Sequence, residues 1–480
     1  MIGVSGEMDS LPNIVGAVGL KQFHLSLLRA WNRVREWNRC QWSDALGLLG
    51  LFLFSFGVFY RTLLVHEGLL LMGLAFALRI KTLEKGVMRD PLLILSTAFL
   101  LFLLIRTYFA ATEFKEYQSL VLEGMLKSFL FGFFVVFVVG FWMNRYQGRW
   151  NELMIALFAG HVAKVIRSLD WDTFYTGFDL IWNGAERLRL GSTVNRFGLW
   201  SDVILFGCLI LYRHIWGTRT HNNKFIYWSR VVFWMLVTTL AGAGLVFSQS
   251  RSAWMAAVLI LPFIFFSLFY QTKKFQLKPV VLIGVLLVIV ALMTNLPAVA
   301  KKRLLLSDNP FYNESIKIAI DSRLLLNRLA WEKWKERPLV GYGPGTSEVI
   351  IKQAEGEYAI VSNHDHFHNV AFNIMVHLGI VGMLFYGSAF YLIIRQLFRA
   401  KKLGRIESHY FLFILVGLAL MMICGLSGEP FGDYKGVFLF GFLGGICYES
   451  KFLSHISPAK PRVEITNLLS PARNGFPWAS

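Results

Sequence analysis

Three imidazoles, a carboxylate and an amide stand together at His364-Asp365-His366-Phe367-His368-Asn369. A neutral imidazole, titrating near pH ~6.5, can take a proton from a hydroxyl at physiological pH. Alternating histidines on an extended loop also suit zinc, which takes three or four N, S or O ligands, but no Cys or Glu stands beside them. Two arginines have matching chemistry. Arg251 lies in SQSRSAW and Arg196 in NRFGLW, and a guanidinium stays charged while offering paired hydrogen bonds to phosphate oxygens. A base for a hydroxyl and fixed positive charge for a departing anion are the two halves of a group-transfer site. The competing accounts are structural. A histidine can simply anchor a helix end, and arginines can snorkel to lipid phosphates.

These residues are set in a chain of 480 residues that is 55% hydrophobic and 15% aromatic, with only 16% charged. Windows of roughly 20 apolar residues, long enough to cross a hydrocarbon core of about 30 Å, recur about twelve times. They fall near 45–60, 63–80, 91–110, 119–143, 150–168, 197–217, 225–248, 251–270, 277–296, 369–394, 407–427 and 433–449. Backbone groups in lipid must be satisfied internally, and no alternating barrel strands are visible, so the expected fold class is an all-α polytopic membrane protein. Four cysteines without paired spacing predict no structural disulfide. The N-terminus shows no signal peptide, so insertion is expected to start at the first span.

Basic residues alternate between links. Arg79, Lys81, Lys85 and Arg89, then Arg145 and Arg149, then Arg213, Arg219 and Lys224, mark inner loops, as do Lys273, Lys274, Lys278 and the cluster from Arg395 to Arg405. With both termini inside, every short loop obeys the positive-inside rule. The net charge of +18 is then largely a topology signal, and no nucleic-acid partner is expected. The expected organisation is an amphipathic segment at 1–43 against the inner leaflet, spans one to nine at 44–296 and a large outer loop at 297–367. Spans ten to twelve follow at 368–450, then a tail at 451–480. Arg196, Arg251 and His368 all emerge on the outer face beside that loop. Its many lysines and arginines, Arg323 and Arg328 among them, predict an anionic partner.

His368-Asn369, nine residues, then Gly379-x-x-Gly382 resembles the motif of bacterial O-antigen ligases. SRSAW around Arg251 and RPLVGYGPG at 337–345 are similar to segments of the wider family of ligases, O-antigen polymerases and protein O-oligosaccharyltransferases. The resemblance implies a GT-C type glycosyltransferase in the bacterial inner membrane. It would move a glycan from undecaprenyl diphosphate to a lipid A–core acceptor on the periplasmic face, with no metal and no other cofactor, in lipopolysaccharide biosynthesis. It assigns the general base to His368 and diphosphate stabilisation to Arg251 and Arg196. Asn369, His366, Asp365, Arg323, Arg328 and Tyr342 become candidates for substrate binding. Glu429 and Asp433 are lesser candidates for contacts to His368 or sugar, while Glu123, Lys164 and His377 read as polar contacts between helices. A polymerase or protein transferase shares these motifs. A transporter or flippase would instead place its charges at the membrane midplane.

Overall fold

The computed structural model of the chain describes residues 39–79, 89–129, 134–146, 149–168, 194–216, 224–248, 250–272, 310–426 and 434–448. Most of the expected amphipathic segment, the ninth span at 277–296, Glu429, Asp433 and the tail lie outside the described residues. The described secondary structure is helical throughout: α1 (Arg39–Tyr60), α2 (Thr62–Arg79), α3 (Pro91–Glu113), α4 (Gln118–Phe129), α5 (Val135–Arg145), α6 (Trp150–Ser168), α7 (Val194–Trp216), α8 (Lys224–Ser248), α9 (Arg251–Thr272), α10 (Pro310–Glu336), α11 (Ser347–Lys352), α12 (Val370–Lys402), α13 (Ser408–Gly425) and α14 (Tyr434–Cys447).

Among the described residues, six helices are long and apolar enough to cross a membrane, namely α1, α2, α3, α8, α12 and α13. Shorter apolar stretches occur in α5, α9 and α14. Outward faces carry bare Leu70, Leu101, Val258 and Leu384, an apolar surface suited to lipid rather than water. The chain is a polytopic membrane protein. One expected segment resolves differently. Residues 119–143 form two helices, because α4 carries the ion-paired Glu123 and Lys127 (2.7 Å) and runs beside the loop lobe, while α5 is buried among its neighbours.

Polar contacts sort the helix ends into two sets. At one end Asp44 of α1 accepts from Arg79 at the end of α2 (2.7 Å) and from Arg145 at the end of α5 (2.6 and 2.8 Å). Asp90 caps α3 by accepting from the Leu92 and Leu93 amides, 2.9 and 3.2 Å away, with Pro91 preset at the first helical position. The Tyr448 hydroxyl just past α14 donates to the same carboxylate. At the other end Glu113 of α3 pairs twice with Arg337 (2.6 and 2.7 Å). The Ser250 hydroxyl between α8 and α9 donates to Asn195 of α7 (3.0 Å).

Residues 310–367 are no mere connection. The second half of α10, the short α11 and a 3-10 turn at Gly356–Val361 enclose a separate core of Leu326, Leu329, Tyr342, Ile350, Ile351, Val361 and Phe367. As expected from Pro338, α10 stops at Glu336. The segment after it then docks into α12. That helix breaks at Gly379, whose φ of 62° and ψ of −157° are open to glycine and costly for any other residue. The break frees the Val376 and His377 carbonyls, which accept from Tyr342 N–H (2.8 Å) and Gly343 N–H (2.7 Å). It also frees the Ile380 and Val381 amides, which donate to the Pro338 and Leu339 carbonyls at 2.9 and 3.1 Å. Two carbonyls and two amides at the break are thereby paired, as a low-dielectric setting favours. Arg106 of α3 donates to the Gly341 carbonyl (2.6 Å) and holds this segment as well.

A Cβ at Gly379 would lie 2.4 Å from the Leu339 carbonyl carbon. Gly379→Ala is expected to cost about 1–3 kcal/mol, read as a lower thermal unfolding midpoint in detergent. Gly387 is exposed on the same helix with nothing within 4 Å of an added Cβ. Gly387→Ala should leave the midpoint unchanged or raise stability by up to ~1 kcal/mol. Equal midpoints for the two variants would contradict the docked break.

Candidate active site

His368 sits at the seam between the lobe and α12. Before it, Phe367 is buried in the lobe core and its amide donates to Asn373 (3.3 Å). After it, Asn369 caps α12, its side-chain oxygen accepting from Ala371 (2.9 Å) and Phe372 (3.3 Å). Anchored on both sides, His368 adopts φ 52°, the one positive φ outside glycine among the described residues. Strain of this kind persists where the surroundings over-determine a position, and it concentrates at functional sites. Asn369 therefore holds the helix start that fixes the imidazole.

The imidazole packs against its neighbours. Ring centroids lie 4.2 Å from His366 and 5.2 Å from His364, the latter edge-on at 88°. His366 Nδ1 is hydrogen-bonded to Asp365, which holds the Asp365 carboxyl well below the ordinary carboxylate range. Burial, then the charges of His366, Arg323 and His364, push His368 down from 6.5 to about 3. The ring is neutral at physiological pH. Among the described residues, no group of three His, Cys, Asp or Glu side chains is arranged to hold a metal ion.

The SQSRSAW turn explains itself in the structure. Ser250 Oγ caps α9 by accepting from the Ala253 amide (3.3 Å), which puts Arg251 in the first turn beside the free N–H groups of a helix start. An arginine there opposes the helix dipole, but both present positive charge to an anion. The Arg251 Nε is buried with no hydrogen-bond partner among the described residues. Across the turn, a Cβ at Gly198 would meet Ser250 Cβ at 2.9 Å, so α7 approaches closely and brings Asn195 and Arg196 alongside.

Arg323 of α10 completes the positive wall. Desolvation of its surroundings, then the like charge of Arg251, lowers its guanidinium from its ordinary value, although the residue as a whole is exposed. Arg323 in turn acts on His368. Arg323, from a separate segment, thus lies within electrostatic reach of both Arg251 and His368.

Two other expected residues have partners within the lobe. Arg328 turns away and pairs with Glu332 (3.4 Å) and Glu357 (3.3 Å). Tyr342 is buried in the lobe core, donates to Glu336 and lies under the Arg337 guanidinium (4.4 Å to its ring). The basic loop is also less basic than its composition: Lys333, Arg337 and Lys352 pair with Glu336, Glu113 and Glu348.

Arg196, Asp365 and His366 open onto a cavity of about 340 Å³. Its other walls include Glu123 and Lys127 of α4, Ser347 and Glu348 of α11, and Asn373, His377 and Tyr386 of α12. Ser347 joins the walls, its amide donating to His377 Nε2 (3.1 Å) and its hydroxyl to Asn373 (3.1 Å). These residues were not singled out as site residues from the sequence. The signal for two of them was present: Asn369, Asn373 and His377 recur every four residues, one stripe down an otherwise apolar helix.

A comparison with curated proteins found no match to this chain. Residues 234–387 match the family model described as O-antigen ligase, a stretch that takes in Arg251, Arg323 and the whole His364–Asn369 run but leaves Arg196 outside. That family implies glycosyltransferase activity on lipid-linked glycans, of ligase or polymerase type. The chain carries an O-antigen ligase family domain, and the converging arginines and histidine belong to it.

Proposed function

We propose that this protein is an O-antigen ligase of the GT-C type, with about twelve spans, both termini cytoplasmic and the His368 end of the bundle in the periplasm. It transfers O-polysaccharide from undecaprenyl diphosphate to a sugar hydroxyl of lipid A–core in the inner membrane, with inversion and without a metal. The observation that carries the reading is the O-antigen ligase family match over residues 234–387, which takes in Arg251, Arg323 and His368, with Arg323 in electrostatic reach of the other two. Arg196, one helix away, borders the same region.

In this reaction a ring nitrogen of His368 takes the hydroxyl proton while the oxygen bonds to the anomeric carbon from the face opposite the diphosphate. The bond from that carbon to the diphosphate oxygen breaks, and the electron pair stays with the diphosphate. Arg251 and Arg323 meet the growing charge, a role in which each preorganised donor contributes a few kcal/mol to the transition state, on the order of 3. Without substrate His368 is a poor base, because positive neighbours and burial disfavour its protonated form. A bound diphosphate between the arginines offsets their charge and raises the imidazole toward its ordinary value. Donor binding therefore readies the base.

Glycan transfer by the purified protein in EDTA, with lipid-linked glycan as donor and rough lipopolysaccharide as acceptor, tests this reading. His368→Ala should lower the rate by about 10²–10⁴ and Arg323→Ala by about 10²–10³. Arg328→Ala removes only exposed ion pairs and should cost less than about fivefold. Elongation of the donor itself, with no label on lipopolysaccharide, would favour the polymerase; equal losses from Arg323→Ala and Arg328→Ala would remove Arg323 from the site.

The pH dependence follows from the lowered imidazole. His368 keeps its proton off until well below 6.5, so kcat/KM, which reports the free enzyme, should be flat between about pH 5 and 8. The acid limb of kcat should lie at higher pH than that of kcat/KM, because bound diphosphate raises the base. A limb of kcat/KM centred near 6.5 would contradict this environment.

A further inference from the structure

The lobe that carries His368 bares apolar side chains low on its flank. Pro338, Leu339 and Val340, the turn that docks onto the break in α12, are all exposed, Leu339 by 65%. Their backbone fixes their depth. The Leu339 carbonyl accepts from Val381 N–H (3.1 Å), roughly 18 Å along α12 from its cap at Asn369. On the other flank Arg106 of α3 holds Gly341 (2.6 Å) and Ala110 lies against Gly343, about 5–10 Å short of the α3 end at Glu113. Both helices are long and apolar enough to cross a membrane. At these levels α3 bares Ile105 and Phe109, and α12 bares Ile380 and Leu384. Leu339 and Val340 thus continue an apolar surface, and no charged residue occurs between Arg337 and Glu348.

The helix leading into the turn has the marks of a membrane–water boundary. Arg323 lies within electrostatic reach of Arg251 at the start of α9, and Arg337 pairs with Glu113 at the end of α3. The second half of α10 therefore runs about 21 Å across the ends of the spans rather than along them. Leu324, Arg328, Trp331 and Lys335 form one bare stripe on it, turned from the lobe core. Lys335 reaches over the Trp331 ring (5.5 Å), which packs on Trp334 at 4.8 Å. The Trp334 indole N–H donates to the Pro338 carbonyl (3.2 Å), the same carbonyl that takes the Ile380 amide. Tryptophan beside lysine, each with an apolar body and a polar tip, is characteristic of head-group depth. We propose that residues 338–340 are a lipid-immersed foot of the lobe. Leu339 and Val340 lie among acyl chains of the leaflet at the His368 end, with Trp331 and Lys335 at head-group level. The occupant is bilayer lipid rather than a second copy of the chain, because the patch is continuous with the bare faces of two spans. The lobe is then held by main-chain bonds to α12 and by lipid, which keeps Arg323 and His368 at head-group depth.

Photo-crosslinking of the full chain in nanodiscs of phosphatidylethanolamine and phosphatidylglycerol tests the foot. A benzoylphenylalanine probe in place of Leu339 should form acyl-chain adducts in a yield like that of the same probe in place of Leu384 on α12. The reference for water is Leu403, bare in the turn beyond Lys401 and Lys402. The yield at Leu339 should exceed that at Leu403 by about tenfold or more, the preference of a leucine-sized side chain for an apolar medium. Hydroxyl-radical footprinting of the unsubstituted chain in the same nanodiscs is the second measurement. Leu339 and Val340 should be oxidised about tenfold more slowly than Leu403, despite their exposure on the protein. Lipid adducts at Leu339 no more abundant than at Leu403 would overturn the proposal, as would adducts joining two copies of the chain in place of lipid. Oxidation of Leu339 at the Leu403 rate would overturn it too, and that footprint decides if the substituted chain fails to fold.

Discussion

The break in α12 at Gly379 is the constraint from which the rest of the site follows. A helix within a membrane cannot leave carbonyls and amides unpaired, because nothing in lipid replaces the lost bonds. Here the backbone from Pro338 to Gly343 supplies the replacements, two accepting and two donating. The lobe is therefore fastened to the helix by main-chain bonds. This explains why a glycine-rich run before the histidines and a glycine pair after them occur in one chain: Gly341, with φ 64°, lies against His377, and Gly379 lies against Leu339. Once the lobe is seated, Phe367 is drawn into its core, Asn369 caps the outgoing helix, and His368 is held between them with little freedom.

Electrostatics then distinguishes the basic residues of the lobe. Most described basic residues of the lobe are neutralised by nearby acids, which stabilises little at an exposed surface but removes competing charge. Arg323 is instead set against Arg251 and against His368. Holding like charges together is unfavourable in the empty site and becomes favourable when an anion arrives. The proposed transfer would use that arrangement as a preorganised anion site.

Much of this was legible in the sequence, for identifiable reasons. Long apolar windows marked most helices because lipid imposes their length. The window at 119–143 misled, since averaging hides the change from amphipathic α4 to buried α5. His368 and Arg251 were visible through motif spacing. Arg323 and Arg328 were not separable, because five residues place them about 140° apart on a helix, and only the fold says which side meets the histidines. Tyr342 looked like a sugar platform because an aromatic residue among glycines reads the same whether exposed or buried. The cavity was invisible because its walls come from α4, α7, α11 and α12, and no local pattern joins them.

Amide hydrogen exchange across 338–343 and 379–382 tests the central claim most directly. The docked break predicts that the Tyr342, Gly343, Ile380 and Val381 amides, all bonded in the structure, exchange slowly and lose protection together. Exchange of Tyr342 and Gly343 at the rate of a free surface loop, with Ile380 and Val381 still protected, would contradict it. The lobe would then not be fastened to α12, and the site geometry would lose its foundation.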